Sequence, residues 1–343
     1  MQLNDYKPGF RKRMLDLAWR QWVALGVKGY GEKWRQSPVD PEALIAFTCV
    51  VGRRDQRLFD GMMEWVERNG RWINVSRAKR SLRANKATSF KLFLALVERG
   101  DSTLMPKYKA IQSWGNSNIQ PEPLFEGENG EPLPTGRSLD PVFEKWGFLR
   151  NTFENRKICG PFPAKGAETL LLRLRAFAGL NARAEILTYL LLHGSGSPRS
   201  MARFCGYGAP TVTRALAEMS ESGWVDYQSD GRKVQYSLRD SEKWWDLLVG
   251  WPGRPKAVDW FAIMPSLSQL YILFDWVSQD NATPSQQASR LRRFLEGEAL
   301  EGLNQVAPEL RIGGSRLPAG EELIPEFVEQ VERILDRLIQ GQS

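Results

Sequence analysis

Cationic and hydroxyl side chains recur at short intervals between residues 199 and 233, and this combination suits contact with a nucleic acid. Lysine and arginine neutralise phosphates, whereas an arginine fork or a threonine side chain can also contact the edges of bases. The candidates for phosphate or minor-groove contact are Arg199, Ser200, Arg203, Arg232 and Lys233. The candidates for contact with base edges are Thr211, Thr213 and Arg214.

Two helices are predicted to precede the segment that carries the threonines. Asn181 can cap the first helix, and Gly194 with the residues after it ends that helix. The second helix runs from Arg199 to about Cys205. The glycines of segment 206–208 then favour a tight turn, because glycine tolerates positive φ. This turn leads directly into a third helix, as in a helix-turn-helix.

The third helix is predicted to begin at Pro210 and to end before Gly223, since proline suits the first helical position and glycine commonly follows a helix. Val212, Leu216 and Met219 recur at helical spacing and define its buried face. The candidates for base contact are then left on the outer face near the N-terminus. A recognition helix presents that end to the major groove.

A hairpin is predicted to follow the third helix. The Asp-Gly pair at 230–231 is a strong turn signal, and apolar residues alternate along 224–228 and 233–238. Arg232 and Lys233 lie at its tip or just beyond it. A cation there can reach the phosphate backbone or a narrow minor groove.

Residues 181–239 resemble the winged helix-turn-helix regulators of the MarR and ArsR types. The matching pieces are RAEIL in the first helix, APTVTRAL in the third, the SGWV step and the wing DGRKVQYSL. The resemblance implies a homodimer on a pseudo-palindromic operator in double-stranded DNA. It also implies that Asp230 orients Arg232 for backbone or minor-groove contact. Those regulators are usually much shorter than 343 residues, so operator, ligand and dimer mode do not carry over.

The fold is predicted to be mainly α, with one small β-hairpin. Helical apolar stripes mark both ends of the chain, whereas Gly, Pro, Asn and Ser are dense between residues 113 and 140. We therefore expect a helical basic N-terminal domain (1–112), a linker or long loop (113–140), a winged helix-turn-helix domain with a lead-in helix (141–250) and a helical C-terminal domain (251–343).

The C-terminal domain suits either dimerisation or the binding of an effector. Residues 265–278 are apolar nearly all round, so we expect them in a core of this domain or in a subunit interface. The last helix, about 321–339, carries a two-heptad stripe from Ile324 to Leu338 that fits a core and a dimer seam equally well. A pocket for a small-molecule effector between the wing and this tail is a further alternative.

Charge is distributed unevenly along the sequence. Residues 1–100 hold 20 Lys or Arg against 10 Asp or Glu, whereas residues 241–343 hold 10 against 15. Such asymmetry suggests a polyanionic partner at the basic end. The candidates for a second phosphate-contacting surface are Arg77, Lys79, Arg80, Arg83, Lys86 and Lys91. The alternative is a helix face whose charges meet acids elsewhere in the chain, for example in the acidic tail.

Composition and motifs argue against an enzyme, an exported protein and a membrane protein. The single histidine, His193, lies at a predicted helix end, and neither a phosphate-binding nor a CxxC motif is present. Cys49, Cys159 and Cys205 form no metal or disulfide pattern. The N-terminus lacks an apolar signal core, and no apolar run is long enough to span a membrane. We expect a cytoplasmic protein without metal or cofactor, although a nuclease with scattered carboxylates stays open.

Three functions are compatible with these patterns. We expect a DNA-binding transcriptional regulator, because cations lie on the predicted exposed elements of the winged helix. The rival from another class is a protein-interaction scaffold whose winged helix is structural. The third is a ligand-gated sensor with the tail as its effector module, which is compatible with the first.

Overall fold

A computed structural model describes residues 3–86, 88–109, 120–128, 130–231, 233–248, 255–277, 282–296, 300–306, 318 and 320–340. The protein is mainly helical with small sheets, as the sequence predicts. The helices are α1 (Leu3–Ala24), α2 (Pro41–Val51), α3 (Gln56–Asn69), α4 (Val75–Ala84), α5 (Phe90–Gly100), α6 (Pro141–Lys145), α7 (Leu170–Ala178), α8 (Ala182–His193), α9 (Pro198–Cys205), α10 (Ala209–Glu221), α11 (Ser241–Leu248), α12 (Trp260–Val277), α13 (Pro284–Leu295), α14 (Glu301–Val306) and α15 (Leu323–Gln340). The strands are β1 (Glu122–Pro123), β2 (Phe148–Leu149), β3 (Ser195–Gly196), β4 (Val225–Asp230) and β5 (Lys233–Leu238).

Side-chain caps fix the starts of the N-terminal helices. Asp40 accepts a hydrogen bond from the backbone of Ala43, and Pro41 occupies the first turn of α2. Asn74 caps α4 in the same way by accepting from the backbone of Ser76 and Arg77. These caps satisfy backbone N–H groups that have no partner inside the helix. Helix boundaries in this region are therefore set locally by the sequence.

The N-terminal helices and the tail helices share one hydrophobic core, which we call the first core. Phe10 of α1 packs on Phe274 of α12 with ring centroids 4.6 Å apart, and Trp34 packs on Trp260 at 5.3 Å. Every residue of α2 is buried, and α12 contacts α2 extensively. The sequence predicts separate domains at 1–112 and 251–343, but two helices that are apolar nearly all round need cover on every side. Packing them together supplies it.

The apolar stripe of the last helix is also part of the first core. Its members are buried within the chain, and they are Ile324, Phe327, Val328, Val331, Ile334, Leu335 and Leu338. Of the two alternatives, core and dimer seam, the structure therefore favours the core.

Acids of the tail neutralise cations of the N-terminal helix. The ammonium of Lys7 lies 2.9 Å from the carboxylate of Asp275, and Arg13 lies 2.8 Å from Asp336. Arg11 also pairs with Asp275, and Arg54 lies 3.0 Å from the same carboxylate. Part of the charge asymmetry along the sequence is thus cancelled inside the molecule, so net charge by segment overstates the basic surface.

Residues 120–163 pack on the first core. Strand β1 pairs in parallel with β2, and Leu124 and Phe125 beside them are buried. Arg53 donates a hydrogen bond to the carbonyl of Leu124 at 3.1 Å. Phe143 and Phe153 belong to the same core. The predicted linker therefore contacts the first core through Leu124 and Phe125, while residues 113–119 and 129 lie outside the described residues.

A second core lies between residues 167 and 245. Helices α7 to α11 surround it, with a three-stranded antiparallel sheet in the order β3-β5-β4. The sequence predicts a unit that begins at 141, whereas this second hydrophobic core begins at Ala167. Across the described ranges, none of the helices combines the length and apolar character that crossing a membrane requires.

Candidate nucleic-acid interface

Helix α10 is held by one apolar face. Val212, Ala215, Leu216 and Met219 are buried in the second core, at the spacing the sequence indicates. Pro210 lies in the first turn, where its missing N–H costs no hydrogen bond. The opposite face of the helix is therefore fixed in direction without being covered.

The outer face of α10 presents the predicted base-reading side chains. Thr213 and Arg214 are exposed, whereas Thr211 is half-buried. Gly208, Ala209 and Pro210, which lead into the helix, are exposed as well. The N-terminal end of α10 is thus open to solvent. Further along the helix, Glu218 is exposed and pairs with Arg183 of α8.

Helix α9 carries three of the residues predicted to contact phosphate, and they do not all lie on the same surface. Arg199 is exposed. Ser200 is half-buried and takes part in a capping box, in which its hydroxyl accepts from the backbone of Ser197 at 3.0 Å. Ser200 and the exposed Arg203 line a cleft that faces the first core. We therefore separate Ser200 and Arg203 from the candidate DNA surface.

The hairpin β4–β5 projects from the second core. Val225 and Leu238 at its base are buried, and Tyr227 further out is 62% exposed. Lys233 is exposed, and it lies opposite Asp230 in the register of the two strands. Arg232 lies outside the described residues. One predicted cation of the tip is therefore placed, and it is accessible to a phosphate.

The second predicted surface is only partly a surface. Lys79 on α4 and Lys91 on α5 are half-buried, and Arg80, Arg83 and Lys86 are exposed. The remaining member of this group, Arg77, is buried.

The prediction that Arg77 contacts phosphate is wrong, because its side chain is 2% exposed and ion-paired inside the protein. Arg77 pairs with Asp40, lies 3.5 Å from both Glu42 and Glu185, and donates to the carbonyl of Phe204 at 2.7 Å. Burial alone would lower the pKa of this guanidinium, but the three carboxylates hold it above its usual range. The charge of Arg77 is therefore neutralised by carboxylates inside the protein.

A second buried arginine completes this cluster. Arg175 of α7 forks onto Glu42 at 2.7 and 2.9 Å and onto Glu185 at 2.7 Å. Burial raises the pKa of Glu42, and the charge of Arg175 opposes that rise. We call Asp40, Glu42, Arg77, Arg175 and Glu185 the buried ion cluster. It joins α2 and α4 of the first core to α7 and α8 of the second.

Sequence reasoning missed the buried ion cluster. The available signal was an arginine or a glutamate inside a strongly apolar helix, as in LLLRLRAFA around Arg175 and PEALIAF around Glu42. Charges at such positions are seldom fully buried unless they are paired. The signal predicts burial with a partner, but it does not identify the partner.

Helix α4 also reaches α9 through a residue that is exposed. Arg80 donates to the carbonyl of Ala202 at 3.4 Å, and its guanidinium lies 5.7 Å from the ring of Phe261. Arg77 binds the same helix two residues further on, at Phe204. These contacts place the exposed face of α4 next to the end of α9, where the turn to α10 begins.

His193 ends α8, and its ring is hydrogen-bonded to the backbone of its own helix. Its Nδ1 lies 3.0 Å from the carbonyl of Tyr189, so Nδ1 donates this hydrogen bond.

Comparisons with protein families, with curated proteins and with solved structures found no match to this chain. Within the parts that the structure describes, no group of His, Cys, Asp and Glu is arranged to hold a metal ion. Function must therefore be argued from the geometry of the chain itself.

Proposed function

We propose that residues 167–248 form a winged helix-turn-helix that binds double-stranded DNA and regulates transcription. The order of elements supports this proposal: helix α8, short strand β3, helices α9 and α10, then the hairpin β4–β5. Helix α10 is the recognition helix of such a unit and enters the major groove, while the hairpin is the wing.

The observation that carries the proposal is the open N-terminal edge of α10. Thr213 and Arg214 point to solvent while Val212 and Leu216 anchor the same helix in the second core. A rigid helix with exposed donors can enter a major groove about 12 Å wide without rearrangement. Arg199 and Lys233 are exposed on the flanking elements, where they can neutralise phosphates.

Selection of bound genomic fragments by the purified protein tests this function first. We expect an enriched sequence motif, and two-fold symmetry in that motif would indicate a homodimer on a pseudo-palindromic site. A duplex carrying the motif then serves as the specific probe, and a random duplex of equal length is its control. Failure of both to bind at low salt would remove the proposal in favour of a scaffold.

Single variants then separate base contacts from phosphate contacts. Arg214→Ala should reduce discrimination between the specific and the random duplex by about 1–3 kcal/mol, the usual contribution of a bidentate base contact. Lys233→Ala should weaken binding to both duplexes equally and reduce the salt slope by about one. Lys243→Ala, which removes an exposed cation on α11, is the matched control with no expected change. Equal losses on every sequence for Arg214→Ala and Lys233→Ala would contradict these roles.

A second candidate, binding of another protein, is favoured by an exposed apolar patch on the same unit. Leu247 is 79% exposed, Phe177 is 71% exposed, and Trp224 is 45% exposed, and all three line one shallow depression. Trp224 follows the C-terminal end of α10, so the patch and the N-terminal edge are separated by a helix of roughly 20 Å at 1.5 Å per residue. A partner on the patch, including a second copy of this chain, would leave the recognition edge open.

The oligomeric state in solution decides whether this patch joins two copies. Light scattering of the wild type and of Leu247→Asp should show a dimer that the substitution dissociates. A monomer in both cases leaves the patch to a different protein and removes the homodimer from the proposal.

A further inference from the structure

The hairpin β4–β5 carries a pair of tyrosines on one face. Tyr227 lies directly opposite Tyr236 in the register of the two strands, and their ring centroids are 5.9 Å apart with an interplanar angle of 41°. Val225 and Leu238, the pair at the base, point to the same side, because they are two positions away along each strand. That pair is buried in the second core, whereas Tyr236 is half-buried and Tyr227 is exposed. The aromatic pair therefore begins where the second core ends.

The hairpin keeps its acids away from this aromatic face. Asp226 and Asp230 stand at odd spacing from Tyr227 along β4, so they point to the opposite face. Asp226 is also neutralised, because its carboxylate accepts hydrogen bonds from Nε of Arg239 at 3.2 and 3.3 Å. Neither β4 nor β5 places a carboxylate on the face of the tyrosines. A polyanion can therefore approach Tyr227 without repulsion from the strand that carries it.

The tyrosine pair lies between two exposed cations that we assign to the DNA backbone. Tyr236 pairs with Gly196 of β3, and Arg199 follows three residues later in the first turn of α9. In the other direction, Lys233 lies three residues from Tyr236 along β5, which is a span of about 10 Å. Both cations are exposed. The aromatic face is thus continuous with the proposed DNA surface.

The chemistry around Tyr227 suits a nucleic-acid backbone better than a second protein. Its hydroxyl has no hydrogen-bond partner in the part of the chain that the structure describes, so it is available as a donor. Toward the tip, Gln228, Ser229 and Gln235 are polar and exposed. Protein-binding surfaces usually present a contiguous apolar patch, and this unit has one elsewhere, in the depression that contains Leu247. Tyrosine is among the side chains that contact phosphate and sugar in DNA complexes.

We propose that Tyr227 contacts the sugar-phosphate backbone of double-stranded DNA, with its ring on a deoxyribose and its hydroxyl donating to a phosphate oxygen. Tyr236 packs beside this ring and positions it. The base of the hairpin is fixed to the end of α10, since the backbone of Trp224 donates to the carbonyl of Met219 at 3.1 Å. The tyrosine pair is therefore held in place relative to the proposed recognition helix. This inference rests on the proposed DNA binding and adds to it a contact that carries no charge.

Fluorescence anisotropy of the full chain over a salt series, on the selected and on the random duplex, tests this contact. Tyr227→Ala should weaken binding to both duplexes by about fivefold, the usual loss for one hydrogen bond. The slope of log affinity against log salt should stay unchanged, because a neutral side chain releases no counterions. Tyr227→Phe keeps the ring and loses only the hydroxyl, so its affinity should fall between those of Tyr227→Ala and the wild type.

Gln228→Ala is the matched control, because it removes an exposed neutral side chain from the opposite face of the same strand. Its affinity should equal that of the wild type. Wild-type affinity in Tyr227→Ala would overturn the inference and leave the tyrosine pair to a protein partner. Equal losses in Tyr227→Ala and Gln228→Ala would also overturn it.

Three further results would count against the backbone contact. A reduced salt slope in Tyr227→Ala would mean that the substitution displaces a cation. A loss on the selected duplex alone would assign Tyr227 to base recognition. A Tyr227→Phe variant no better than Tyr227→Ala would show that the ring contributes nothing. Failure of the wild type to bind either duplex is a different result, since it removes the proposed function itself and the inference with it.

Discussion

Helices α4 and α10 both carry arginine on a face that the sequence predicts to be exposed, yet the structure uses the two arginines in opposite ways. Arg77 of α4 is buried among three carboxylates, whereas Arg214 of α10 faces solvent. The difference arises from what lies opposite each helix. Glu42 and Glu185 come from the two cores and meet over α4, whereas no carboxylate of the described residues forms an ion pair with the exposed Arg214. A cluster of cations in a sequence is therefore not evidence of a binding surface until its acidic neighbours are known.

The comparison also shows how the second core is attached. The buried ion cluster and the contacts of Arg77 and Arg80 with α9 fix this unit on the first core. A unit that is tethered by a flexible linker could reorient freely, whereas this one is held by buried ion pairs whose partners would separate if the contact opened. We therefore expect the exposed N-terminal edge of α10, with Thr213 and Arg214, to keep a fixed direction relative to the rest of the chain.

The largest expected effect separates the two arginines by stability. Arg77→Met should lower the free energy of unfolding by about 3–5 kcal/mol, because it leaves Asp40 and Glu185 buried with too little compensating charge. Arg214→Met should change it by less than about 0.5 kcal/mol, as for an ordinary surface substitution. Urea unfolding followed by tryptophan fluorescence measures both. Similar unfolding midpoints for the two variants would break the comparison.

The next effect concerns the turn that joins α9 to α10. Gly206 has φ +71°, and a Cβ there would lie 3.1 Å from Cγ of Arg77. Gly206→Ala should therefore cost about 1–2 kcal/mol from backbone strain and crowding. Gly208 is the control, because its φ is −66° and a Cβ there would have its nearest contact at 3.8 Å. Thermal denaturation should show a clear loss for Gly206→Ala and little change for Gly208→Ala. Equal losses would mean that the turn is not held against α4.

A smaller effect tests the exposed segment that directly follows α4, which carries Lys86, as a DNA flank. Lys86→Ala should reduce the slope of log affinity against log salt by about one if this lysine contacts a phosphate. Lys107→Ala, which removes an exposed lysine outside α4, should leave the slope unchanged. Fluorescence anisotropy on one random duplex over a salt series provides the measurement. An unchanged slope for Lys86→Ala would restrict DNA contact to the surface of the unit around the second core.

The smallest effect uses Cys205 as a reporter of the contact between α4 and α9. Burial raises the pKa of this thiol well above its ordinary value, and the charge of Glu185 adds to the rise. Burial likewise raises the pKa of Cys49 to about 12. Because the thiolate is the reactive form, neither residue should react with iodoacetamide at pH 8 in the native protein. Arg77→Met removes a charge that lowers the pKa of Cys205, so any faster labelling of Cys205 in this variant comes from opening of the contact. Mass spectrometry should detect faster labelling of Cys205, with Cys49 as the internal control. Equal rates of labelling at Cys205 in the variant and the wild type would contradict the proposed contact.

Local signals in the sequence were sufficient for most helix boundaries and for the direction of α10. Proline at the first turn, an asparagine cap at Asn181 and glycine at position 206 act within a few residues, so their effect can be read without knowing the fold. The spacing of Val212, Leu216 and Met219 likewise determined which side of α10 is buried. The outward position of Thr213 and Arg214 follows from that spacing alone.

The tertiary structure decided which distant parts of the chain pack together. It placed α12 in the first core, Arg77 in the buried ion cluster and a cleft between α9 and the tail. Each of these depends on side chains separated by more than 30 positions, and apolar periodicity specifies that a face is buried without specifying by what. The choice among partners follows from packing volume and charge neutralisation, which are properties of the assembled chain.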